Sequence, residues 1–211
     1  MLSKILILLF IILTLILSFK LLFSAISPSR LPIYNILQDY RDFQVRQYPE
    51  MLFASVVVQG NREQALSSGF SILAKYILGK NKIKLKIKME APVIQQATAE
   101  GWRVSFVMPA FYDLSDLPEP EDERIELHVM PAQNYIVYRF NGKVIDDFLQ
   151  QELELFKKFL IRQDFHVAGE PLYAFYSPPW TISFLRRNEI WFLIEEQAQL
   201  TENRDNMPKI G

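Results

Sequence analysis

"NREQALSSGFSILAKYILG", Asn61 to Gly79, is the stretch on which the fold turns. Asn61 is a helix N-cap type, and Gln64 follows three residues later, as in a capping box. Leu66, Phe70, Leu73 and Ile77 then recur at spacings of four, three and four, a single stripe on a helix. Gly79 is placed to cap its end. Eighty-odd residues on, Leu149, Leu153, Phe156 and Leu160 repeat the same spacing, with Asp146 or Asp147 available as cap.

The flanks repeat as well. "FQVRQY" (Phe43 to Tyr48) and "MLFASVVV" (Met51 to Val58) alternate or are β-branched, and predict two strands before the first helix. After it, "NKIKLKIKMEAPV" (Asn81 to Val93) alternates Lys82, Lys84, Lys86 and Lys88 with Ile83, Leu85, Ile87 and Met89. That pattern predicts a strand with a wet lysine face and an apolar core face. "WRVSFVMP" (Trp102 to Pro109) predicts another. In the second half, "NYIVYRFNG" precedes the helix, and "PLYAFYSPPW" and "NEIWFLI" follow it. Two β–α–β–β units joined by the acidic connector "LPEPEDE" (Leu117 to Glu123) are expected. Packed together they predict an α+β fold, a distorted antiparallel β-barrel with two flanking helices and a pseudo-twofold repeat.

Before this unit the chain is apolar from Ile5 to Phe19 except for Thr14 and Ser18, and Leu21 to Ile26 continue beyond Lys20. The length approaches the roughly 20 residues of a membrane-spanning helix. A secretory signal is the rival, but small residues Ala25 and Ser27 at its cleavage positions leave Pro28 directly after the cut. The expectation is an N-terminal transmembrane helix, a single-pass anchor at residues 1–27, then a linker at 28–39. The folded domain spans 40–196, on the outer side of the membrane, and 197–211 form a polar tail.

Composition narrows the chemistry. The 23 basic and 24 acidic residues balance, so nothing draws the chain to nucleic acid, and no nucleic-acid partner is expected. Cysteine is absent, which excludes disulfides, thiolate catalysis, zinc–sulfur sites and covalently attached c-type haem. There is no glycine-rich phosphate loop and no G-x-S-x-G elbow. His128 in "IELHVM" alternates away from Ile125, Leu127 and Val129 and reads as solvent-facing beside Glu126; His166 falls in a loop. Neither carries a metal or haem-ligand pattern. No catalytic or metal-binding residue is assigned, and a binding protein is favoured over an enzyme.

Several blocks in order carry a family resemblance: "VRQYPEMLFASV", "AKYILGKN", "KIKMEAPV", "SFVMP", "PEPEDERIEL" and "YSPPWTISFLRRNEIWFL". The chain resembles the SOUL, or p22 haem-binding protein, family over about Tyr40 to Ile194. The resemblance implies the doubled barrel and reversible binding of haem or another porphyrin, as a carrier or buffer. Carried over by position, it implies that Phe70 and Ala74 face the macrocycle and that Lys75 meets a propionate. Leu66 and Leu73, one helical turn away, join them on geometry. Some relatives are proposed to use a histidine near the first strands; none stands there, so haem as cofactor is expected without axial histidine ligation. Glu90 replaces the threonine common in "MTAPV". The fold also resembles GyrI-like small-molecule binders, which leaves a non-haem ligand or a protein partner as the alternative. A hydrolase on this fold would require a buried glutamate beside tyrosine or tryptophan.

Overall fold

A computed structural model describes residues 32–177 and 181–195. The described residues form nine strands and two α-helices: β1 (Asn35–Asp39), β2 (Phe43–Tyr48), β3 (Met51–Val58), α1 (Arg62–Ile77), β4 (Val93–Thr98), β5 (Gly101–Val107), β6 (Glu126–Met130), β7 (Gln133–Asn141), α2 (Asp146–Arg162), β8 (Val167–Phe175) and β9 (Arg187–Ile194). All strands join one antiparallel sheet in the order β1-β2-β7-β9-β8-β4-β5-β3-β6.

The order exposes the doubling. From the β4–β8 pair outward, β5 and β3 on one side mirror β9 and β7 on the other. The strand preceding each unit crosses to the other one: β2 precedes β3 but pairs with β7, and β6 precedes β7 but pairs with β3. Tyr48 and Met51 are therefore neighbours in sequence yet six strands apart in the sheet. Three residues of chain reach about 11 Å, whereas six flat strand spacings would be roughly 29 Å. The sheet has to curl, and it buries Tyr48, Met51, Phe53, Val107, Tyr135 and Trp191 on its inner face. It does not close. β1 and β6 remain as edges, so the expected barrel is corrected to an open, curled sheet.

Both helices cover the outer face. Leu149, Leu153, Phe156 and Leu160 are all buried against β2, β7, β8 and β9, as their spacing predicts. α2 begins after Ile145, which makes no side-chain cap, so neither Asp146 nor Asp147 fills that role. α1 is capped as expected, the Asn61 side chain accepting from Gln64 N at 2.9 Å. Its end is a Schellman turn: Lys80 N donates to Lys75 O and Gly79 N to Tyr76 O. Gly79, at φ +104°, supplies the positive φ that turn demands.

The buried stripe of α1 is displaced by about one position from the expected one. Arg62, Ala65, Gly69, Leu73, Tyr76 and Ile77 face the sheet. Gly69 sets this phase, because a Cβ built there would lie 2.6 Å from Val104 Cγ2 of β5. The helix approaches the sheet along its small residues, and Leu66 and Phe70 are left half-buried on its flank.

The lysine stretch is not a strand; β4 starts only at Val93. Asn81, fully buried, folds it into a turn by donating to Tyr76 O and Leu85 O and accepting from Leu85 N. Lys84 follows at φ +58°. The four lysines are exposed as expected. Of their apolar partners, Ile87 is buried but Ile83 is 68% exposed. Lys82 and Lys84 pair with Glu119 and Glu121 of the acidic connector, which bridges Asn81 through Pro120. β1 occupies part of the stretch read as linker and is exposed throughout. Among the described residues no helix is long and apolar enough to cross a membrane. The apolar N-terminal run and the polar tail lie outside the described residues.

Candidate ligand pocket beside the first helix

The outward flank of α1 borders a pocket of about 520 Å³. Leu66 and Phe70 form one wall, and Met89, Ala91, Val93 and Phe175 continue it as an apolar floor. Phe70 is braced edge-on by Phe106 at 5.2 Å. Val144 and Ile145, just before α2, form the facing wall. Exposed Lys143 and half-buried Arg186 stand at its edge, with Glu63, Ser183 and Asn188 as further polar lining.

Arg62 holds the two walls together. From the first turn of α1 it donates to Val144 O at 2.8 Å and to Asp146 Oδ1 at 2.5 Å, with Gln95 at 3.4 Å behind it. Asn188 Nδ2 reaches Gly142 O at 3.2 Å and ties β9 to the turn that carries Lys143.

Of the residues proposed for a ligand from sequence, Leu66 and Phe70 lie together in this lining. Leu73 is fully buried beneath α1. Ala74 and exposed Lys75 are outside the lining, further along the helix. Glu90 is buried between two lining residues but is not itself in the lining. The pair Arg186–Arg187 divides: Arg186 enters the pocket, while Arg187 turns to the inner face. Met89, Val93, Lys143 and Phe175 were missed, because they come from three segments that only the folded sheet brings together.

A second polar constellation lies on the inner face. Glu189, 0% exposed, accepts from Arg46, Tyr176 and Trp191 at 2.8–2.9 Å through Oε2, and from Arg187 Nε and Nη2 through Oε1. Burial alone would raise its pKa, but Arg46 and Arg187 outweigh it and hold the carboxyl below its ordinary value. Burial, reinforced by Glu189, pushes the Tyr176 hydroxyl well up. This is the buried glutamate beside tyrosine and tryptophan that a hydrolase would require. Five donors occupy its lone pairs, and none is left to take a substrate proton. No signal other than charge at an inward strand position marked Arg46 or Glu189.

His128 is half-buried rather than solvent-facing. Its Nε2 lies 2.9 Å from Ser55 Oγ, which in turn bonds Ser105 Oγ at 2.7 Å, and its ring stacks on Phe53. Burial, then the nearby Arg103, lower its pKa against the pull of Glu126. No histidine is among the described residues lining the pocket.

A family model described as SOUL heme-binding protein matches residues 30–193, most of the chain. The chain belongs to the SOUL heme-binding protein family. SOUL heme-binding proteins are binding proteins, not enzymes. Heme-binding protein 2 of Mus musculus is 27% identical over 171 residues, covering 77% of this chain and 82% of that one. Heme-binding protein 2 of Homo sapiens is 28% identical over 171 residues, covering 76% and 82%. The EcmrR C-terminal domain superposes with a TM-score of 0.55 at 12% identity, over 77% of this chain and 98% of that one. At that identity the likeness speaks for the fold alone.

Proposed function

We propose that this SOUL domain binds haem or a related tetrapyrrole reversibly in the pocket beside α1, as a carrier or buffer. The observation that carries the reading is the pairing of an apolar floor with two cations at its edge. A flat apolar ring gains from contact with Leu66, Phe70, Met89, Val93 and Phe175. Lys143 and Arg186 offer charge-assisted hydrogen bonds to its carboxylates. The volume lies within the roughly 300–1,000 Å³ range of small-molecule sites. With no histidine in the described lining, retention rests on burial and charge, which suits a ligand that must be released.

Membrane tethering is part of the same proposal. The apolar run from Ile5 to Ile26 supports a single-pass anchor, and the reading puts the domain on the outer side. A reporter fused at the C-terminus tests the side; activity only in the cytoplasmic-reporter form would overturn it.

The ligand is tested by titrating hemin into the protein and following the Soret band. A saturable shift at micromolar protein is expected. No shift, with a different small molecule retained on purification, would replace haem by a non-haem ligand in the same pocket.

A further inference from the structure

We infer that the turn at Ile182–Leu185 is a shallow insertion element that sets the pocket mouth on an anionic lipid surface. Ile182, Phe184 and Leu185 are 60%, 69% and 62% exposed, three large apolar side chains within four residues. Ser183, between them, faces the other way and lines the pocket. A tip of this kind is out of place in water and matches the apolar-tip design of membrane-interface segments.

The turn satisfies part of its own backbone hydrogen bonding. Ser183–Leu185 form a 3₁₀ turn in which Leu185 N donates to Ile182 O at 2.9 Å and Arg186 N to Ser183 O at 3.1 Å. Polar main-chain groups that enter hydrocarbon have to be satisfied internally. Behind the tip stand the cations. Arg186, its Nε donating to Thr181 O at 2.7 Å, is at the base of the turn, and exposed Lys143 is on the other lip. Half-exposed Ile145 adds an apolar group beside Lys143. Glu63 is the one acidic residue in the described lining. Apolar side chains at the tip with cations behind them fit acyl chains below and phosphate headgroups above. A second copy of the chain would need an acidic partner for the same cations; Glu63 is the one carboxylate in the described lining, and Asp146 beside it on the lip is already paired with Arg62. The inference holds whether or not the ligand is haem, but an apolar ligand dissolved in a bilayer would reach the pocket by this mouth.

The chain lacks cysteine, so Phe184→Cys in the full-length protein takes one environment-sensitive fluorophore. Ile161→Cys is the control: it is 80% exposed and lies about 24 Å along α2 from the pocket lip. Each is mixed with phosphatidylcholine vesicles with and without phosphatidylserine, some carrying nitroxide lipids. A blue shift and nitroxide quenching at 184, several-fold stronger with phosphatidylserine and absent at 161, are expected. The readout is position-specific, so attachment elsewhere in the chain does not mask it. No change at 184, equal change at both positions, or insertion indifferent to phosphatidylserine would overturn the inference. So would a blue shift at 184 that grows with protein concentration without vesicles, which would make the tip a contact between copies.

Discussion

Arg46 on β2 and Glu189 on β9 meet at 2.9 Å inside the curled sheet, 143 residues apart in sequence. β7 lies between their strands, so the pair bridges across the sheet's inner face. Arg187, Tyr176, Trp191 and Tyr48 complete the cluster. Without Arg46, buried Glu189 keeps Arg187 as a cationic partner but loses one of its two, and breaking a buried pair costs up to about 3–5 kcal/mol. Arg46→Met should therefore lower the urea midpoint sharply, although Arg46 itself is not in the pocket lining.

The same cluster sets an acid limit. Glu189 titrates below its ordinary value of 4.5 in the fold because, despite burial, Arg46 and Arg187 favour the charged form. A group with a depressed folded pKa stabilises above its unfolded pKa and loses that contribution as pH falls through the folded one. Stability should fall below about pH 4.5 in the native protein. In Glu189→Gln the protein should be weaker at neutral pH and its acid limb flatter; a limb of unchanged steepness would assign acid sensitivity to other groups.

Gly69→Ala should destabilise although alanine is the better helix former by about 1 kcal/mol. The new methyl meets Val104 at 2.6 Å, and overpacking of this kind costs about 1–3 kcal/mol. Adding Val104→Ala should recover part of the loss, measurable as a non-additive double-mutant cycle.

The α1 residues should separate by role. Leu73→Ala empties a fully buried site and should cost about 2–5 kcal/mol in stability. Leu66→Asp and Phe70→Asp, on the half-buried flank, should remove ligand binding with smaller losses. Lys75→Ala, outside the pocket, should leave affinity unchanged. Lys143→Ala should weaken a carboxylate-bearing porphyrin about tenfold, or ~1.4 kcal/mol, and leave its dimethyl ester unaffected.

Much of the architecture was legible in the sequence. The α2 stripe was in phase because Leu149, Leu153, Phe156 and Leu160 are themselves the packed residues. For α1 the large apolar residues misled: the contact runs through Ala65 and Gly69, which periodicity of bulk cannot weigh. The lysine stretch alternated like a strand, but a strand needs a neighbour, and the buried Asn81 side chain takes the hydrogen bonds instead. Closure of the sheet depends on pairing between β1 and β6, which no local pattern encodes. The lining of the candidate pocket was half legible for a related reason. Leu66 and Phe70 share a helix face, whereas Met89, Lys143, Phe175 and Arg186 converge only through the β4–β8 pairing at the centre of the sheet.

Hemin titration of the native protein beside Phe70→Asp and Lys75→Ala tests the pocket most directly. A saturable Soret shift in the native protein and in Lys75→Ala, lost in Phe70→Asp while its far-ultraviolet circular dichroism is retained, is the predicted result. Equal hemin affinity in Phe70→Asp, or no saturable shift in the native protein, would contradict it.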